Sequence, residues 1–259
     1  MAVYEIVFSP TGGTQKVADC VTDVLSEDKK FIDLSGRFTT FSDFAFSEED
    51  LCVFAVPSFG GRVPEVCRQR ISEMIGCGAQ AILIAVYGNR AYEDTLLELR
   101  EILTDQNFRC IAAISAVAEH SIMHQFATGR PDERDYRQLT EFAQQIKNRL
   151  KNRAEEPDLR VPGNYPYREY NGVPMKPKAD ETCTNCGVCV QQCPVGAIPE
   201  EHPGETDPNL CITCMAVWPS APSMPGAWTR RSSAPARRLW SRCAVFTRKM
   251  NCFSEMPTR

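Results

Sequence analysis

Six cysteines in the last third of the chain have the spacing that most directly specifies chemistry. Cys183, Cys186, Cys189 and Cys193, followed by Pro194, read C-x2-C-x2-C-x3-C-P. At this spacing three thiolates reach one iron–sulfur cage. The fourth, beside the proline, is directed away and serves the second cage of a two-cluster protein. A zinc knuckle is the competing reading, but zinc sites pair C-x2-4-C units across a longer gap. Gly187 relieves crowding around the cage, and the apolar residues after Pro194 can pack against it. A second run opens at Cys211 and Cys214. Its next cysteines are due at the positions of Val217 and Ala221. Neither is there, although the closing proline, Pro222, is in place.

A second constellation lies near the N-terminus. Ser9, Thr11, Gly12, Gly13 and Thr14 fall in "SPTGGT", between an apolar run and a helical pattern. Main-chain N–H groups of such a turn, together with the N-terminus of the next helix, cradle a phosphate. The glycines permit close approach and the hydroxyls add donors. Neither G-x-x-x-x-G-K-[ST] nor G-x-G-x-x-G is present, so one terminal phosphomonoester suits the loop better than a polyphosphate. Two further loops are expected at the same sheet edge. One contains Pro57, Ser58, Phe59, Gly60 and Gly61; the other contains Tyr87, Gly88, Asn89 and Tyr92. Three loops at three strand ends could hold a phosphate, a sugar-like chain and a flat ring, with Phe59 or Tyr92 stacked on the ring. His120 and His124 read as structural. Cys20, Cys52, Cys67, Cys77 and Cys110 read as small core residues.

The elements that must position these groups alternate. "AVYEIVF", "KFIDLS", "LCVFAVP", "AILIAVYG" and "FRCIAAISAV" are continuous apolar runs separated by helical patterns, and "PDERDYRQLTEFAQQIKNRLKNR" is a long final helix. That order predicts a five-stranded, doubly wound parallel α/β sheet covered on both faces, over residues 1–153. Residues 154–180, rich in Pro, Tyr and charge, read as a linker. A small cysteine-dense domain follows over 181–222. The remainder, 223–259, reads as an irregular or disordered basic tail.

Composition adds bounds. The net charge is −4, yet from Val217 onward there are eight basic residues and one acid, so the preceding residues carry −11. All three tryptophans also fall in this tail. The N-terminus enters "AVYEIVF" without a charged region and cleavage site, so no signal peptide is expected. No apolar run approaches about 18 residues, so no membrane span or membrane partner is expected. Thirteen cysteines without a signal peptide suggest a reducing cytoplasm and metal-bound thiolates.

The loops "FSPTGGTQKVA", "VPSFGGRVPE" and "VYGNRAYEDTLLEL", with "EHS…GRPDERD" and the cysteine runs, resemble the fused flavodoxin–ferredoxin proteins of the EFR1 type, found mainly in anaerobic bacteria. The resemblance covers residues 1 to about 215. It implies a flavodoxin-like domain binding flavin mononucleotide (FMN), a domain of the bacterial two-[4Fe-4S] ferredoxin type, and electron transfer to redox partner proteins rather than to nucleic acid. The ferredoxin pattern also implies a ligand pairing. One cluster would use Cys183, Cys186, Cys189 and position 221; the other would use Cys193, Cys211, Cys214 and position 217. Alternatives are a flavin-dependent reductase of a small substrate and a redox-sensing binding protein.

The broken second run has a codon-level explanation. Reading each triplet one base earlier after Ala216 permits cysteine at 217 and 221 and proline at 222, which suggests a shifted frame. A natural basic tail that binds an acidic partner or nucleic acid is the rival. A third possibility is that Cys243 or Cys252 completes a cluster.

Overall fold

The computed structural model describes residues 1–152, 159–217 and 250–253. Its sheet contains β1 (Val3–Val7), β2 (Lys29–Asp33), β3 (Leu51–Pro57), β4 (Gln80–Tyr87), β5 (Arg109–Val117) and β6 (Asn251–Phe253), in the order β2-β1-β3-β4-β5-β6. The first five are parallel. The order 2-1-3-4-5 is that of a doubly wound, flavodoxin-like fold, and its switch point lies between β1 and β3. All five strands expected from the apolar runs are present.

Both faces of the sheet are buried because β3 is apolar at every position and β4 at every position but Gln80. In β3, Leu51, Val53 and Ala55 point to one side, where they meet Val17 and Val21 of α1 (Gly13–Leu25) and Leu139, Ala143 and Ile146 of α4 (Glu133–Asn152). Cys52, Phe54 and Val56 point to the other side. There they meet Cys67 and Ile71 of α2 (Glu65–Ser72) and Leu99 and Leu103 of α3 (Thr95–Asp105). This period of two, apolar in both phases, is why the strands read as continuous runs. Helix α2 stops at Ser72. Its last turn tightens through Glu73 N–H to Arg70 O, and Ile75 then bridges Ala45.

One strand was not expected. Asn251–Phe253 pairs antiparallel with Ala113–Ser115 of β5, and the adjoining Met250 is buried in the face that α1 and α4 cover. The outer edge of β5 offers unpaired N–H and C=O groups, which a chain can satisfy from either direction. The sheet therefore has six strands rather than five, and residues 250–253 are ordered onto it. The remainder of the stretch expected to be irregular, with Cys243 and Ala221, lies outside the described residues.

The segment read as a linker is docked along α3. Leu159 is buried in the core, and its carbonyl accepts from Arg100 Nη1 at 2.9 Å. The buried Asp94 carboxylate accepts the N–H groups of Asn164 and Arg168, each at 2.8 Å. Arg62 pairs with Glu98 at 2.7 Å, donates to Arg168 O at 2.9 Å and stacks on the Tyr167 ring at 4.7 Å. These contacts join residues distant in sequence, so local periodicity could not show them.

The cysteine segment contributes α5 (Val188–Gln192) and packs on the α2–α3 side through Val195, Ile212 and Cys214. Arg70, on α2, is buried and donates to Leu34 O and, at 2.7 Å, to Pro194 O. Burial lowers its pKa from the ordinary guanidinium value.

Candidate flavin and iron–sulfur sites

The three predicted loops meet at the carboxyl edge of the sheet. In the first, Gly12 has φ +83°, a left-handed conformation that glycine adopts without strain, and it caps α1. Ser9 Oγ accepts the Gln15 N–H at 2.8 Å, so this hydroxyl serves the helix end. In the second, Phe59 and Arg62 exchange backbone hydrogen bonds of 3.0 and 3.1 Å, closing a tight turn over Gly60 (φ +61°) and Gly61 (φ +90°). Two consecutive positive φ angles are what a primed hairpin turn demands, hence the Gly-Gly pair. In the third, Asn89 takes φ +68°.

A cavity opens between the loops. Thr11, Gly13, Thr14, Pro57, Ser58, Phe59, Gly60, Gly61, Tyr87 and Gly88 line it, as the sequence suggested. Ser9, Gly12, Asn89 and Tyr92 are not among its lining residues. Ser9 and Gly12 shape the turn from behind. Tyr92 packs on the core and meets Tyr87 edge-on at 5.3 Å. Of the two rings expected to stack on a ligand, only Phe59 lines the cavity.

Sequence reasoning missed several lining residues. His120 is one. Its Nδ1 accepts the N–H groups of Ile122 and Met123 at 3.1 and 3.2 Å, which puts its proton on Nε2. Burial lowers its pKa to about 4, with smaller contributions from His124 and Arg90, so it is neutral at pH 7. The close fit of its ring on Gly88 accounts for that glycine: a Cβ there would stand 2.5 Å from His120 Cδ2. Tyr170 and Val173 reach the cavity from the former linker, and Thr213 and Cys214 from the cysteine segment. No local pattern marks these four, because they arrive by tertiary docking.

The cysteines form two groups. Cys183, Cys186 and Cys189 influence one another electrostatically. Cys193 leaves its own run and joins Cys211 and Cys214 around a second, almost wholly apolar cavity. Val217 lines that cavity and packs with Cys193 and Cys211. Among the described residues no three His, Cys, Asp or Glu side chains converge on a point where a single metal ion would sit. A cubane is gripped from several sides, and Cys193, Cys211 and Cys214 all line the second cavity.

Its sulfurs are also prepared as acceptors. Cys193 Sγ accepts Ala197 N–H at 3.2 Å and Cys211 Sγ accepts Thr213 N–H at 3.4 Å, while an N–H from Ala216 reaches Cys214. Hydrogen bonds donated to sulfur favour the thiolate, but for Cys214 burial outweighs them and raises its pKa. In the first group Cys183 Sγ donates to Asn185 Oδ1 at 3.6 Å and Cys189 Sγ to Pro203 O at 3.5 Å, while Cys189 also accepts the Val190 N–H. Gly187 has φ +75°, and no protein atom would meet a Cβ there, so its need for glycine is conformational.

Thr213 and Cys214 line both cavities. The partition between the sheet-edge site and the cysteine-ringed site is thus a single turn of chain.

Residues 178–198 match the family model described as the 4Fe-4S binding domain, which identifies a [4Fe-4S] cluster as the cofactor of that segment. Solved structures similar to this chain cover its N-terminal part. A flavodoxin from Streptococcus pneumonia TIGR4 is 19% identical over 57% of this chain and 99% of its own, with a TM-score of 0.41. An oxidised flavodoxin from Bacillus cereus is 14% identical over 57% and 98%, with a TM-score of 0.42. Rubredoxin oxygen:oxidoreductase from the anaerobe Desulfovibrio gigas is 17% identical over 60% of this chain and 37% of its own, with a TM-score of 0.40. No curated protein matches the chain. Among the described residues no helix is long and apolar enough to cross a membrane.

Proposed function

We propose that this chain is an electron-transfer protein in which FMN at the sheet edge exchanges electrons with [4Fe-4S] clusters held by the cysteine segment. The observation that carries this reading is the shared wall: Thr213 and Cys214 border both cavities. A flavin takes two electrons and releases them singly, and a cubane carries one, so adjacency of the two gives a two-to-one electron converter. For the FMN, the backbone around Gly13 and Thr14 at the N-terminus of α1 would hold the phosphate. Phe59 would flank the ring. The exchange partners would be other redox proteins, and the setting a reducing cytoplasm.

One cluster would be held by Cys183, Cys186 and Cys189, the other by Cys193, Cys211 and Cys214. Position 217 would complete the second set, a role supported by the packing of Val217 against Cys193 and Cys211. The likeness to the EFR1-type fusions and a shifted frame after Ala216 belong to the same reading. The test is anaerobic purification followed by an absorption spectrum and assays of flavin, iron and sulfide. Flavin bands over a broad brown absorption are expected. Colourless protein, unchanged by reconstitution with FMN, iron and sulfide, would overturn the proposal.

A further inference from the structure

The outer side of the flavin cavity is not built by the flavodoxin-like sheet. It is built by a strap, residues 170–176, and by the turn between Cys211 and Cys214. Tyr170 lies directly on Gly60: a Cβ at that glycine would stand 2.1 Å from Tyr170 Cδ2. The missing side chain therefore makes room for a ring lying against the backbone of the second loop. Tyr170 is half-buried and lines the same cavity as Phe59, Gly60 and Gly61.

The strap is fastened at both ends. Before Tyr170, Arg168 is held by Asp94 through its N–H, by Arg62 through its carbonyl and by Glu93 through its guanidinium. After it, the buried Thr213 hydroxyl lies 3.4 Å from Val173 O and 3.0 Å from Met175 O. Lys176 Nζ donates to Cys211 O at 2.5 Å. A β-branched residue with φ +56° is unusual, and the hydroxyl contacts to the strap offset that conformational cost. The strap and the cysteine turn form one hydrogen-bonded wall, and that wall presents an aromatic ring to the cavity.

We propose that Tyr170 is a flavin-binding residue, a stacking face carried into the site by the strap, and that Thr213 is the positioning residue that holds the strap there. This rests on the reading of the cavity as an FMN site. It adds that half of that site comes from outside the sheet domain, so flavin affinity depends on the iron–sulfur turn being in place. A planar, electron-poor ring gains from an aromatic neighbour on its face, by an amount comparable to a base stacked on a protein ring.

The test is titration of FMN into the full-length, flavin-free chain, read by quenching of flavin fluorescence and by the shift of its visible absorption bands. Wild-type, Tyr170→Ala, Tyr170→Phe and Thr213→Val chains are compared, each checked for an unchanged thermal transition. Tyr170→Ala is expected to raise Kd about tenfold and to reduce the band shift. Tyr170→Phe, which keeps the ring, is expected to restore both. Thr213→Val keeps the shape of the wall but loses the hydroxyl, and should raise Kd several-fold. Should Tyr170→Ala bind FMN as tightly as wild type, or more tightly, the ring is a bystander or a plug and the proposal falls. Equal losses in the Ala and Phe variants would assign the effect to the hydroxyl and likewise overturn it. If wild-type chain binds no FMN, the flavin reading of the cavity fails first.

Discussion

The two C-x2-C turns are built alike and placed differently. Asn185 (φ +54°) precedes Cys186 and Gly187 (φ +75°) follows it; Thr213 (φ +56°) precedes Cys214 and Met215 (φ +67°) follows it. The second turn thus repeats the backbone of the first, left-handed at the same two positions, despite lacking the cysteines that should follow. Their surroundings diverge. Cys186 is exposed, whereas Cys214 packs on the core beneath the sheet-edge cavity, and burial pushes its thiol up to about 12. A local motif specifies the shape of a ligand turn. Which turn faces the sheet-edge cavity and which faces solvent follows from docking.

The most direct test of this contrast is to complete both ligand sets. Val217→Cys with Ala221→Cys should raise iron toward two cubanes, about eight irons per chain, measured after anaerobic reconstitution. Unchanged iron and sulfide would mean the pairing of cysteines is wrong. A pulse of alkylating reagent on the iron-free chain should modify Cys186 at least about tenfold faster than Cys214, because the buried thiol is both shielded and kept protonated. Peptide mass spectrometry reads the ratio, and equal rates would erase the distinction between inner and outer turns.

Acid probes the cavity that the inner turn closes. His120 is neutral in the fold with a pKa of about 4, while in the unfolded chain it protonates near the usual 6.5. The unfolded state then binds more protons between these values. Stability present above about pH 6.5 is therefore lost as pH falls to about 4, by roughly 3 kcal/mol. His120→Asn should flatten that part of a curve of unfolding free energy against pH; an unaltered slope would place the acid sensitivity elsewhere. The smallest expected effect concerns the anchor of the cysteine segment. Arg70→Met strands the carbonyls of Leu34 and Pro194 and should cost about 2 kcal/mol in thermal or denaturant unfolding. It should also speed labelling of Cys214 while leaving Cys186 unchanged.

The strands, the covering helices and the three glycine-bearing loops were legible because their signals are local. Continuous apolar runs mark a sheet buried on both faces, and Gly12, Gly60 and Gly61 stand where the backbone turns left-handed. The spacing of Cys183 to Cys193 is likewise a property of a few consecutive residues. Tyr92 packs on the core rather than lining the cavity: a ring beside a loop can lie either way, and sequence does not say which. Tyr170, Val173 and His120 gave no signal, since each reaches the cavity through contacts with residues far away in the chain.

The sequence by itself determined an alternating α/β sheet, a phosphate-sized turn and two cysteine runs, the second interrupted at Val217, because these depend on periodicity and short-range geometry. Only the tertiary structure decided that the two sites share a wall one turn thick, that Cys193 joins Cys211 and Cys214, and that residues 251–253 extend the sheet. The first two come from the burial of Arg70, Asp94 and Thr213 among backbone groups they must satisfy, and the third from the open edge of β5, with which Asn251–Phe253 pair; such pairings are settled in space rather than along the chain.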